Sequence, residues 1–271
     1  MSNLISRTLT AFVFGAITLY LTWVGGILFF LFAWGIGGFI LYEWVSITKE
    51  KWRFLQKILA GIFYLIFGLF LVSGISALLI FGLLIVFAVL LGMLSVRNIG
   101  WVSFGFLYAS FPVVALSFLR GYEILGFWVV IFLFTIVWGT DVAAYFSGRA
   151  LGGRKLAPRF SPNKTWSGAF GGTVAGILGG ILVALLVFDI SSTLFFVLLL
   201  AFILSVISQI GDLGQSCLKR RFSVKDSGYL LPGHGGFMDR MDGLVAAAFL
   251  LYLIGAIISG VNTPFNFFTM L

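Results

Sequence analysis

The residues with chemistry to offer gather in two short stretches. The longer is Ser216-Cys217-Leu218-Lys219-Arg220-Arg221-Phe222-Ser223-Val224-Lys225-Asp226, running on through Pro232-Gly233-His234-Gly235-Gly236-Phe237-Met238-Asp239-Arg240-Met241-Asp242. Gly211-Asp212-Leu213-Gly214 stands just ahead of it. Asp239 and Asp242, spaced i and i+3, fall on one face of a helix. If the flanking helices are neighbours, Asp212 joins them at the same depth. Carboxylates clustered in a basic segment suit a hard cation such as Mg²⁺, which takes oxygen ligands and shares them with phosphates. Lys219, Arg220, Arg221, Lys225 and Arg240 complement phosphate oxygens. Gly233, Gly235 and Gly236 around His234 let the backbone come close to a ligand.

The second stretch is Asp141-Val142-Ala143-Ala144-Tyr145-Phe146-Ser147-Gly148-Arg149, followed by Arg154-Lys155, Arg159 and Ser161-Pro162-Asn163-Lys164-Thr165. Asp141 lies inside an apolar run, about two helical turns from its end. An ionised carboxylate there is costly unless paired, metal-bound or hydrated, so it marks function. Ser161, Asn163, Lys164 and Thr165 lead into a helix starting near Trp166, and free N–H groups at a helix start suit phosphate. Each piece has a plainer alternative: an ion pair for Asp141, a helix cap for the Ser161–Thr165 run, topology charges for Lys219-Arg220-Arg221 and a structural hydrogen bond for His234. Their joint occurrence carries the chemical reading.

The elements that must hold these stretches are membrane helices. Of 271 residues, 61% are hydrophobic and 10% charged, and the mean hydropathy is +1.15. Soluble domains carry about 25% charged residues. Apolar runs of helix-spanning length recur along the chain, and the alternation of a membrane β-barrel is absent. The predicted fold is an all-α integral membrane protein of about nine transmembrane helices, near 4–24, 27–47, 55–73, 75–95, 100–119, 124–147, 167–188, 192–210 and 242–261. The division at Ser73-Gly74-Ile75-Ser76 is the weakest. Residues 1–120 form N-terminal membrane helices; residues 121–271 form a catalytic membrane region with two cytoplasmic loops, 148–166 and 211–241. The first run lacks a small-residue cleavage site and reads as a retained helix. A single cysteine excludes an intrachain disulfide.

Nine spans place every basic residue except Arg120, of 17 in all, on one side. The positive-inside rule makes that side cytoplasmic, with the N-terminus inside and the C-terminus outside. The net charge of +8 then reflects topology, and no nucleic-acid partner is expected. The 34 glycines allow close helix contacts and permit a homodimer.

The run Ser216, Lys219-Arg220, Lys225-Asp226, Gly228, Leu231-Pro232, His234-Gly235-Gly236-Phe237, Asp239-Arg240-Met241-Asp242 resembles the signature of the phosphatidate cytidylyltransferase (CDP-diacylglycerol synthase) family. Asp141, Tyr145, Gly148-Arg149 and Ser161–Thr165 are similar to a second block of that family. The resemblance covers roughly the C-terminal half.

It implies a membrane nucleotidyltransferase of phospholipid biosynthesis that condenses CTP with phosphatidic acid, giving CDP-diacylglycerol and pyrophosphate. A divalent cation, Mg²⁺ or another, is expected, with provision for a second ion. The expected metal ligands are Asp212, Asp239, Asp242 and Asp141. Asp239, Arg240, Lys225 and His234 are the catalytic candidates; Ser161, Asn163, Lys164, Thr165, Lys219, Arg220, Gly235 and Gly236 are the substrate-binding ones. The expected location is the inner (cytoplasmic) membrane, multi-pass, with the site facing the cytoplasm and the lipid reached through the bilayer. The alternatives are a CTP-dependent lipid kinase, which would release CDP, and a membrane transporter.

Overall fold

The computed structural model describes residues 2–48, 52–94, 99–187, 193–230 and 235–270. Among the described residues nine long helices follow the apolar runs: α1 (Ser2–Val24), α2 (Gly26–Ile47), α3 (Phe54–Val72), α4 (Ala77–Met93), α5 (Ile99–Arg120), α6 (Ile124–Leu151), α7 (Trp166–Val187), α8 (Leu194–Arg221) and α9 (Met238–Ser259). A 3₁₀ turn at Pro264–Asn266 and a short α10 (Phe267–Met270) close the chain. Among the described residues, seven helices are long and apolar enough to cross a membrane, and α1 and α4 contribute shorter apolar segments. The expected helical membrane architecture holds.

Single residues make the breaks. Gly25, with φ of 69°, turns α1 into α2, a backbone conformation that side chains with a Cβ resist. At the weakest predicted division, α3 stops at Val72, and α4 starts at Ala77 with its N–H donated to the Asn262 side chain at 2.9 Å. That bond ties a free helix-start donor to the far end of the chain.

In cross-section α5 and α9 are central. α5 packs against α2, α4, α6 and α9, and α9 against α2, α5, α6 and α8. Apolar packing gives little selectivity between helices in lipid, so polar groups fix register. Trp34 and Tyr64 exchange bonds with each other's carbonyls across α2 and α3. Trp44 Nε1 donates to the Trp101 carbonyl across α2 and α5, and Gln56 to the Leu91 carbonyl across α3 and α4. Thr140 and Ser205 share a buried hydroxyl bond of 2.8 Å between α6 and α8.

The structure differs from the sequence reading at several helix ends, α9 among them, which starts at Met238. α6 continues to Leu151 and α8 to Arg221, so Asp212 and Lys219-Arg220-Arg221 are helical and not in a loop. Gly211 does not break α8, because its hydrogen faces the Asp242 carbonyl, 2.6 Å from where a Cβ would stand; it is a packing glycine. The segment after α6 is also not an irregular loop. It is an antiparallel hairpin, β1 (Lys155–Ala157) and β2 (Ser161–Thr165), a small exception to the all-α expectation.

Candidate active site

Both 28-residue helices, α6 and α8, measure about 42 Å at 1.5 Å per residue, beyond a hydrocarbon core of about 30 Å. Their C-terminal ends lie at the same end of the bundle and carry the two polar stretches out of it. Lys219, Arg220 and Arg221 form the last turn of α8, where cations complement the carbonyl end of the helix dipole.

The α6–hairpin–α7 unit forms one wall. Gly152 and Gly153 end α6, Thr165 Oγ1 accepts the Gly168 N–H at 3.1 Å as the cap of α7, and Ser167 donates to the Gly152 carbonyl. Thr165 is thus a capping residue, buried at the edge of the site. α7 lies unusually close to α6, with a Cβ at Gly172 falling 2.7 Å from the Thr140 carbonyl. Gln209 of α8 donates to Thr173 at 3.0 Å, fastening the third helix.

Between this wall and the start of α9 opens a cavity of about 820 Å³, at the upper end of the roughly 300–1,000 Å³ of a small-ligand pocket. Asp141, Tyr145, Arg149, Lys155, Asn163, Lys164, Thr165, Gln209, Asp212, Asp239, Arg240 and Asp242 all line it. Lys164 forms an ion pair with Asp212. Asp141 is close enough to feel Asp212 as a like charge and Lys164 and Arg240 as opposite charges, and Asp242 feels Asp212 and Asp141. The four expected carboxylates therefore line one cavity, as do Asn163, Lys164 and Arg240.

Asp239 has the fullest set of partners. Its Oδ1 accepts from Lys219 Nζ at 2.6 Å and Gln215 Nε2 at 3.1 Å; its Oδ2 accepts the Ser227 N–H at 2.8 Å and the Gly236 N–H at 3.3 Å. Lys219 and Gly236 are thereby joined to the site through Asp239, and Gly235 sits beside the Asp239 and Asp226 carboxyls.

Other candidates lie elsewhere. Arg220 donates to the Phe160 carbonyl of the hairpin turn, and Ser161 pairs with Ala157 at the far end of the strands. Lys225 was expected with the phosphate ligands but lines a separate cleft with Tyr42, Ser46, Asp226 and Tyr229. The cause is the turn that ends α8: Ser223 adopts φ 54° and Val224 N–H bonds the Lys219 carbonyl, which sends the chain over the end of α2. His234 lies outside the described residues.

The sequence reading missed Glu43, Gln215 and Ser227. Glu43 is a carboxylate in an apolar run, the same signal that singled out Asp141. Only 1% of its surface is exposed.

A divalent cation fits this donor set in one way. Among the described residues no three acidic, histidine or cysteine side chains are close enough to cage an ion. Mg²⁺ is commonly held by one or two carboxylates, with waters and substrate phosphates completing the shell, and the open, carboxylate-lined cavity offers that.

Comparison with known proteins bears on the whole chain. A family model described as "Cytidylyltransferase family" matches residues 5–258. A relative from Brucella suis biovar 1 (strain 1330) is 51% identical over 265 residues, covering 97% of each chain. One from Staphylococcus epidermidis (strain ATCC 12228 / FDA PCI 1200) is 34% identical, covering 92% of this chain and 97% of its own. One from Bacillus subtilis (strain 168) is 32% identical, covering 96% of this chain and 100% of its own. All three carry the name phosphatidate cytidylyltransferase.

Proposed function

The chain belongs to the cytidylyltransferase family, and from that premise we propose that it condenses CTP with phosphatidic acid, giving CDP-diacylglycerol and pyrophosphate. The observation that carries this reading is the meeting of Asp141, Asp212, Asp239 and Asp242 with Lys164 and Arg240 in one open cavity at a bundle end. A phosphate oxygen of the lipid attacks the α-phosphorus of CTP, and the bond to the β,γ-pyrophosphate breaks. Both reactants are polyanions, so the protein contributes mainly position and charge.

Asp212 and Asp242, with Asp141 and Asp239 in support, would hold a divalent cation such as Mg²⁺. When bound, that ion supplies positive charge to phosphate oxygens. Lys164 lines the cavity and Lys219 pairs with Asp239, which lines it, so both are assigned to phosphate binding, with Arg240 facing Asp141. Asn163 and the hairpin border the nucleotide side. Lys225 is assigned no contact with the reacting phosphates.

We also propose that all nine long helices cross the inner membrane, with the N-terminus and the site cytoplasmic and the C-terminus outside. The 17 residues of α4 measure about 26 Å, a shortfall that local thinning of the bilayer accommodates.

The test is incubation of purified protein with labelled CTP, phosphatidic acid and Mg²⁺. CDP-lipid together with pyrophosphate is expected. Release of CDP would mark a lipid kinase instead, and no turnover by folded protein would end the enzyme reading.

A further inference from the structure

Glu43 belongs to α2, in the half of the chain that carries neither polar stretch, yet it reaches the start of α9. Its Oε1 accepts the Phe237 N–H at 2.7 Å; its Oε2 accepts the Met238 N–H and the Ser227 hydroxyl, both at 2.8 Å. Glu43 thus caps α9 from another helix, taking two of the donors that a helix start leaves unsatisfied and adding negative charge at the positive end of its dipole. The backbone closes around it. A Cβ at Gly228 would stand 2.6 Å from Oε1, and one at Gly236 2.7 Å from Oε2.

Ser227 links this carboxylate to the candidate site. Its hydroxyl goes to Glu43 and its N–H to Asp239 Oδ2, which also accepts the Gly236 N–H. Asp239 is the second residue of α9. An acidic side chain in that position ordinarily turns back onto the free N–H groups of its own helix. Here Glu43 occupies the Phe237 and Met238 groups, leaving Asp239 Oδ1 directed at Lys219 and Gln215 on α8.

We propose that Glu43 is a positioning residue for the reaction: through Ser227, Phe237 and Met238 it fixes the loop that orients Asp239 in the cavity. A buried Glu43 without these bonds would carry the full cost of an unsatisfied carboxylate, so loop and residue hold each other in one arrangement. The inference rests on the cytidylyltransfer reading for its kinetic arm only.

The test uses the full-length protein in mixed micelles. Glu43→Gln keeps the volume but sets an NH₂ group against N–H and hydroxyl donors. A fall in kcat of about tenfold or more is expected, with KM for CTP changing less than about threefold. Amide hydrogen exchange at 225–230 and 235–240 should quicken, while α3 and α7 keep their protection. Unchanged exchange in those segments overturns the proposal. So does faster exchange spread evenly through α2 and α5, which would mean general packing. If Glu43→Gln does not insert, Ser227→Ala carries the test; it removes one hydroxyl, and the same local quickening is expected, with no change overturning the idea. Should the parent make no CDP-lipid, the reaction reading fails, while the exchange arm still decides the role of Glu43.

Discussion

Asp212 and Asp239 each hold an ammonium group, but in different settings. The Lys164–Asp212 pair is about one-third exposed, whereas Asp239 is 10% exposed and accepts four hydrogen bonds. An exposed ion pair contributes about 0–1 kcal/mol to stability. Asp212→Asn should therefore leave thermal unfolding nearly unchanged while lowering CDP-lipid formation by about 100-fold or more; turnover within a few-fold of the parent would remove Asp212 from the metal set. Asp239→Asn differs, because its NH₂ group must face either Lys219 or two backbone donors. It should lower the unfolding temperature by several degrees as well as turnover, an effect of about 1–3 kcal/mol from mispaired buried donors. Sequence sufficed to find these carboxylates, since charge in an apolar chain demands a reason. It did not reveal their partners. Glu43 carries the same signal as Asp141, but a single acidic residue far from the polar stretches gains meaning only once α2 is known to lie beside α9.

At the scale of elements, the helices were legible because each needs about 20 apolar residues. Their ends were less so, because composition turns polar where a helix leaves the bilayer and not where it stops. α6 and α8 run on into the aqueous zone for that reason. The hairpin escaped notice because Lys155–Ala157 and Ser161–Thr165 are too short for a period-two pattern. The glycines were expected to allow close helix contacts, and in α7 they do so within the chain: Gly168, Gly172, Gly176 and Gly180 are buried, with Gly168 and Gly172 against α6. Gly172→Val would push its side chain into the Thr140 carbonyl, parting the wall that carries Lys164 and Asn163. The expected result is a loss of about 1–3 kcal/mol with weaker CTP binding, read by thermal unfolding and by KM together.

For the whole molecule, the basic residue that stood alone in the topology count has a structural occupation. Arg120 is 3% exposed and donates to the Thr22 and Trp23 carbonyls at the end of α1 and to the Glu123 carbonyl. It is a cap, so it does not weigh against the charge asymmetry on which the orientation rests. A reporter fused after Leu271 should be active only if it functions outside the cytoplasm, and one fused before Met1 only if it functions within; the reverse pattern would invert the proposed orientation. The cavity itself has a further consequence. Among the described residues lining it, Asp141, Asp212, Asp239 and Asp242 are matched one for one by Arg149, Lys155, Lys164 and Arg240. Those lining charges balance, and Lys219 on Asp239 adds only one positive charge, too few to offset a triphosphate and a lipid phosphate at once. The substrates have to import their own counter-ions, and the rate should climb steeply with divalent cation while responding only mildly to monovalent salt, whose screening acts on long-range fields that a nearly balanced chamber projects only weakly.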